Sequence, residues 1–277
     1  MKCPVVFTDL DGTLLDPVSY SHEPALPALR MLRKHQIPLV FCSSKTRTEI
    51  EHYRRLLDNR EPFVTENGGG IFIPEGYFDL STLPLGLVTT RKTGYTIIRL
   101  GAPYQLLRQT VQELREEGFA LTGFGDMTVA EVVALTGLSS DQAAMARKRD
   151  FDEPFIFGGN STELDKLGET IRARGLCLTK GVYFHLLGNS DKGVAVEILG
   201  SLFRKKFGEI FVVALGDSLN DLPMLQRADY PVAIRKPNGS HDPDLAVMQP
   251  FKTVKVGPEG WNEAILELFA NQWTRST

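Results

Sequence analysis

Short apolar runs alternate with longer amphipathic stretches along this chain, the pattern of an α/β protein with a mainly parallel sheet. Val5-Val6-Phe7-Thr8, bounded by Pro4 and an Asp-Gly pair, reads as a buried strand. Leu26, Leu29 and Leu32 fall at three-residue spacing and predict an amphipathic helix over 24–35. A second buried strand is expected at 38–42. A helix over 46–57 follows, with Thr46 as N-cap and Glu49 at the capping-box position. Residues 63–65 form a third strand, and Gly68, Gly69 and Gly70 mark a turn into 71–73. The middle third changes character, with helices at 104–117, 129–135 (capped by Thr128 and Glu131), 140–149 and 163–174. Strand-like runs at 155–157, 177–179 and 183–186 lie between them. The last third returns to the first pattern. It has a helix at 191–207, the most apolar strand at 210–215, a helix at 222–227, a strand at 232–234 and a closing helix at 261–269.

An early and a late parallel strand belong to one sheet, which makes the middle third an insertion. The expected fold is α/β: a Rossmann-like parallel-sheet core from residues 1–102 and 188–277, with an inserted α/β cap domain over 103–187. The cap would stand over the sheet's carboxyl edge, where open α/β sheets bind ligands.

Composition narrows the function classes. The 277 residues are 42% hydrophobic with a net charge of −3, enough for a full core and without the basic footprint of a nucleic-acid binder. No apolar run is long enough to span a bilayer, and the run after Met1 is too short for a signal-peptide core. The expected location is cytoplasmic, with no membrane partner. Cys3, Cys42 and Cys177 are too scattered for a disulfide framework or a zinc site and read as small buried apolar residues.

The chemistry begins at Asp9-Leu10-Asp11-Gly12-Thr13, where a buried strand runs into two carboxylates two residues apart. In extended backbone these project to one side, repel each other, and call for a cation or a shared proton. A solvated Asp-Gly turn is the plain alternative. Asp217 and Asp221, in Gly216-Asp217-Ser218-Leu219-Asn220-Asp221, follow the most apolar strand. Four carboxylates at two strand ends make a hard-oxygen site suited to Mg²⁺. Ser43, after the second strand, and Lys192, opening a helix, add a hydroxyl and an ammonium that suit a phosphate-sized anion. Read singly, Ser43 is equally a loop serine and Lys192 a solvated helix lysine.

D-x-D-G-T, then Ser, then Lys opening a helix, then G-D-x-x-N-D, in that order, resembles the haloacid dehalogenase superfamily of phosphatases. The long insertion resembles the α/β cap of its Cof-type branch. A narrower resemblance, to mannosyl-3-phosphoglycerate phosphatases, rests on five segments: Ser44-Lys45-Thr46-Arg47, Glu66-Asn67-Gly68-Gly69-Gly70, Arg149 to Phe155, Phe184-His185-Leu186 and Gly257 to Asn262. Such enzymes convert mannosyl-3-phosphoglycerate to mannosylglycerate, a compatible solute. The resemblance implies a small phosphorylated sugar acid as substrate and Mg²⁺ as cofactor.

A phosphate dianion repels a carboxylate, so Mg²⁺ on Asp9, Asp217 and the backbone carbonyl of Asp11 would let Asp9 attack phosphorus. Asp221 would order the metal or its waters. Asp11 would serve as acid and then base, and Ser43 and Lys192 would hold the phosphate oxygens. Candidate substrate contacts are Lys45, Arg47, Glu66, Asn67, Arg149, Glu153, Lys180 and Asn220. Surface ion pairing, helix-start solvation or turn formation explains most of them equally well. His185 reads as a strand packing residue. Three alternatives stay open: a phosphatase for another sugar phosphate or for glucosyl-3-phosphoglycerate, a phosphomannomutase-like phosphotransferase using Arg147 and Arg149 for a second phosphate, and a non-catalytic sugar-phosphate sensor.

Overall fold

The chain opens with strand β1 (Cys3–Thr8), helix α1 (Leu26–Lys34), β2 (Leu39–Cys42), α2 (Arg47–Leu56), β3 (Phe63–Thr65) and β4 (Gly70–Pro74). A hairpin of β5 (Val88–Lys92) and β6 (Tyr95–Arg99) follows, then α3 (Tyr104–Glu116), β7 (Leu121–Gly123), α4 (Val129–Thr136) and α5 (Ser140–Ala146). Next come β8 (Asp152–Phe157), α6 (Ser161–Ala173), β9 (Cys177–Lys180), β10 (Phe184–Leu187) and α7 (Lys192–Phe207). The chain closes with β11 (Ile210–Gly216), α8 (Leu222–Leu225), β12 (Tyr230–Arg235), β13 (Phe251–Val256) and α9 (Gly257–Trp273). This is a computed structural model, and it describes residues 2–81, 83, 86–92 and 94–273.

Two compact units result, one from residues 1–43 and 192–277, the other from 44–191. In the first, the strands run parallel in the order β13-β12-β11-β1-β2. The expected pairing of an early and a late strand is therefore present, with Val5 beside Val212 and Thr8 beside Leu215. Val5, Val6 and Phe7 are fully buried, as a central strand covered on both faces requires. Phe7 meets Phe203 of α7 edge-on at 6.4 Å. Trp261 of α9 is fully buried and donates its indole N–H to Thr8 Oγ1 at 3.0 Å. The Gly-Pro-Glu-Gly run expected to precede α9 is instead its first turn.

The second unit is antiparallel. Strands β3, β4, β6 and β5 lie in that order, and a separate sheet has the order β7-β8-β10-β9. Leu107, Val111 and Leu114 of α3 and Leu167 and Ile171 of α6 close a core with Phe155 and Leu186 of the second sheet. Both expected capping boxes form: Thr46 N donates to Glu49 Oε2 at 2.9 Å and Thr128 N to Glu131 Oε2 at 2.6 Å. Strand β8 starts three residues earlier than its apolar run because Asp152 and Glu153 are both fully buried. Cys42 is buried as expected, whereas Cys3 and Cys177 are half-exposed. Among the described residues no helix is long and apolar enough to cross a membrane.

Candidate active site

Thr8 stands beside Leu215 on one neighbouring strand and beside Phe41 on the other. Carrying that register one or two residues onward brings Asp9, Asp217 and Ser43 to the same carboxyl edge of the parallel sheet. Asp9 is 5% exposed, and its backbone N–H donates to Leu215 O at 2.9 Å. Lys192, the first residue of α7, has no exposed surface and donates to Asp9 Oδ1 at 2.8 Å and Asp221 Oδ1 at 2.6 Å. The other Asp221 oxygen accepts the backbone N–H groups of Asp217 and Ser218, at 3.0 and 3.1 Å. Asp217 accepts from Ser218 Oγ at 2.9 Å and from Thr13 Oγ1 at 3.4 Å. Gly12 has φ +74°, a left-handed conformation that favours glycine, and a Cβ there would sit 3.2 Å from Asp217 Oδ2.

One oxygen each from Asp9, Asp217 and Asp221 falls within 4.8 Å of the others. The carboxylate of Asp11 stands outside this trio, and Asn220 lies in the single helical turn Leu219–Asp221. Burial pushes the Asp9 carboxyl up to about 8; Lys192 pulls it back, and Asp221, Asp217 and Asp11 add to the rise. Burial and then Asp221 push Asp217 up to about 6. Burial also works against the Lys192 ammonium, but Asp221 and Asp9 outweigh it and hold the group charged. Three carboxylates around one ammonium are short of positive charge. Buried carboxylates relieve that by holding a proton or a cation, and hard oxygens at this spacing fit a divalent ion.

The remaining expected site residues lie in the second unit, and most are committed to its own structure. Glu66 and Asn67 take left-handed backbone, φ +51° and +57°. The Glu66 carboxyl accepts the backbone N–H groups of Asp150 (3.1 Å) and Phe151 (2.7 Å). A Cβ at Gly69 or Gly70 would meet the Phe151 side chain at 2.4 or 2.5 Å, which is why the turn is glycine-rich. Arg149, whose side chain is 6% exposed, donates Nε to Ala146 O (2.7 Å) and Nη1 to Ser44 O (2.9 Å), and lies 3.5 Å from Asp152. Glu153 accepts Tyr104 Oη (2.8 Å), Arg108 Nη1 (2.6 Å) and Gly125 N (2.9 Å). Arg147 Nε points to Phe124 O at 3.4 Å. Arginines 147 and 149 thus each donate to backbone carbonyls of this unit. Lys45 is buried with its Nζ 3.5 Å from Glu49, Arg47 pairs with Glu51 at 2.9 Å, and Lys180 is exposed over the Phe184 ring.

Haloacid dehalogenase-like hydrolases match this chain over residues 6–85 and 178–241. A relative from Methanococcoides burtonii is 42% identical over 267 residues, 95% of this chain and 96% of its own. The chain belongs to the haloacid dehalogenase-like hydrolases. That relative is named glucosyl-3-phosphoglycerate/mannosyl-3-phosphoglycerate phosphatase, as is one from Persephonella marina that is 40% identical over 94% of this chain and 95% of its own. In fold the hydrolase is similar to a haloalkanoate-superfamily phosphatase from Bacteroides thetaiotaomicron, with a TM-score of 0.68 and 18% identity, covering 97% of this chain and 96% of that one.

Sequence reasoning overlooked two hydroxyls of the hydrolase's acidic cluster, Thr13 and Ser218, although both stand inside the motifs it used. It also set aside His185. Strand β10 places the imidazole against Asp152, with Nδ1 at 2.8 Å from Oδ2. The sequence signals for that pair are a polar residue within the apolar run Phe184–Leu187 and an acidic residue just ahead of the apolar run at 155–157.

Proposed function

We propose that this hydrolase cleaves phosphate monoesters by passing the phosphoryl group first to Asp9 and then to water, with mannosyl- or glucosyl-3-phosphoglycerate as substrate. The observation that carries the reading is the Asp9 carboxylate, buried at the end of a central strand and held by a fully buried lysine inside a cluster deficient in positive charge. The names of the two relatives support the choice of a glycosylated phosphoglycerate. A Mg²⁺ ion held by Asp9, Asp217 and the backbone carbonyl of Asp11 would supply charge neutralisation and a fixed orientation for the phosphoryl group.

The chain's own residues then divide the work. Asp9 attacks phosphorus in line, the bond to the sugar-acid oxygen breaks, and an aspartyl-phosphate forms. Asp11 gives a proton to the departing oxygen and later takes one from the water that attacks the intermediate. Ser43 and Lys192 hold the equatorial phosphate oxygens, where charge spreads in the transition state. Asp221 anchors Lys192 with one oxygen and the 217–218 backbone with the other, so its place is behind the reacting groups. Residues 103–187 act as the cap that reads the organic part of the substrate. Within the second unit Lys45, Arg47, Asn67 and Lys180 are the candidate contacts, with Asn220 on the first. Glu66, Arg149 and Glu153 hold the scaffold that presents them.

The test is phosphate release from mannosyl- and glucosyl-3-phosphoglycerate with Mg²⁺ present. Asp9→Asn replaces the nucleophile with an amide and is expected to abolish turnover while thermal unfolding stays cooperative. Activity near wild type in that variant would remove Asp9 from the reaction.

A further inference from the structure

Thr8, the last residue of β1, and Trp261, near the start of α9, both belong to the first unit and have no exposed surface. The Trp261 indole N–H meets Thr8 Oγ1 at 3.0 Å, and Thr8 Oγ1 meets the backbone carbonyl of Asp9 at 2.7 Å. The direction of both bonds follows from the groups themselves. An indole nitrogen only donates and a carbonyl only accepts. The single Thr8 hydrogen therefore points at Asp9, and an oxygen lone pair receives Trp261. With both residues closed to solvent, the indole sets the rotation of the hydroxyl, and the hydroxyl holds the Asp9 carbonyl.

Asp9 is the first residue beyond the strand, where the ladder that fixes each peptide plane ends. Three contacts take over there. Its N–H donates to Leu215 O at 2.9 Å, its Oδ1 accepts Lys192 Nζ at 2.8 Å, and its carbonyl accepts Thr8 Oγ1. A rotation of the peptide that follows Asp9 would swing the Cα–Cβ bond and the carboxylate with it. Displacing a reacting group by about 1 Å can cost about 100-fold in rate. The segment Gly257 to Asn262 is shaped to deliver the indole to this spot. A Cβ on Gly260 would collide with the Lys255 carbonyl oxygen, so the turn from β13 into α9 closes only over a residue without a side chain. Asn262 Oδ1 accepts the Ala28 N–H of α1 at 2.9 Å and ties this end of α9 to a second element. A buried tryptophan needs an acceptor for its N–H. Here that acceptor is the hydroxyl bonded to the backbone of the nucleophile.

We propose that Trp261 and Thr8 are positioning residues for phosphoryl transfer. The indole orients the Thr8 hydroxyl, and the hydroxyl fixes the Asp9 backbone and so the line along which its carboxylate approaches phosphorus. The proposal rests on the reading of Asp9 as nucleophile and gives the Gly257 to Asn262 segment a part in the reaction.

The experiment compares wild type, Thr8→Val, Thr8→Ser, Trp261→Phe and the double variant Thr8→Val/Trp261→Phe. Each acts on p-nitrophenyl phosphate and on mannosyl-3-phosphoglycerate, with Mg²⁺ present and well below its own melting temperature. Valine keeps the shape of threonine without the hydroxyl, and phenylalanine keeps a ring without the N–H. In Thr8→Val, kcat is expected to fall about 10-fold on both substrates, with KM changed by less than about 2-fold. Serine restores the hydroxyl and should recover most of that loss. Trp261→Phe should lower kcat by a smaller factor, because the hydroxyl is then free to rotate. Adding it to Thr8→Val should lower kcat no further, since both changes break one relay. A wild-type kcat in Thr8→Val with only a lowered melting temperature overturns the proposal and leaves the pair to packing. A loss that serine does not recover, or losses that multiply in the double variant, overturn it as well. An unchanged kcat in Trp261→Phe overturns it from the other end, whatever Thr8→Val does to folding. Activity near wild type in Asp9→Asn is a separate result, which removes the nucleophile and the role of this relay with it.

Discussion

Asp9 and Asp11 are two residues apart and chemically identical, yet their surroundings separate them. Asp9 is buried against Lys192, whereas Asp11 keeps partial exposure outside the carboxylate trio. Asp11→Asn should therefore retain slow attack by Asp9 and lose protonation of the leaving oxygen, a loss of about 10²–10⁴-fold. In single-turnover cleavage an aryl phosphate, whose leaving group needs no proton, should lose far less. Equal losses on the two substrates would remove the acid role. Glu66 makes a different residue-scale prediction. Burial pushes its carboxyl up to about 8, against the pull of Arg149. The folded chain then keeps a proton that the unfolded chain releases near the ordinary glutamate value. Stability should decline as pH rises from about 4.5 to 8. Glu66→Gln, which cannot ionise, should flatten that part of the curve when urea midpoints are measured across the range. An unchanged slope would mean that the ionised form is already accommodated by the Asp150 and Phe151 N–H groups.

At the scale of elements, the site depends on how closely α7 approaches α8. A Cβ on Gly193 would stand 2.4 Å from the Pro223 carbonyl oxygen. Gly193→Ala should push the two helices apart and draw the Lys192 ammonium away from Asp9 and Asp221. Overpacking of this kind costs about 1–3 kcal/mol, readable in urea unfolding, and turnover should fall with it. Wild-type stability and activity together would show that α8 yields without cost. Elements with strong local signals were legible beforehand: the helices with capping boxes at Thr46 and Thr128, and the uninterrupted apolar strands β1, β2 and β11. The β5–β6 hairpin and β13 were not. All five residues of β5 are exposed, and β13 buries only Thr253, so neither shows the alternation that marks a half-buried strand.

For the whole molecule, the proposed cation links charge to stability as well as to activity. EDTA should silence phosphate release and Mg²⁺ should restore it. Independently of turnover, Mg²⁺ should raise the melting temperature of the wild type, because an ion that binds only the folded cluster stabilises it by mass action. Asp217→Asn should abolish most of that shift. Full activity in a verified metal-free preparation would overturn the metal reading, and an undiminished shift in Asp217→Asn would move the ion elsewhere.

The fold class and the acidic cluster were already determined by sequence, because both rest on short-range pattern. An apolar run fixes a buried strand, and residues directly after it must emerge at its carboxyl end, so Asp9, Ser43 and Asp217 could be placed together once β1, β2 and β11 were known to be neighbours. Tertiary structure alone decided the partners of Glu66, Arg149, Glu153 and His185. A charged residue has the same one-dimensional appearance whether it faces a ligand or a buried backbone N–H. Their partners, Phe151 for Glu66, Ser44 for Arg149, Tyr104 for Glu153 and Asp152 for His185, are mostly tens of residues away, and no local periodicity encodes a meeting at that distance.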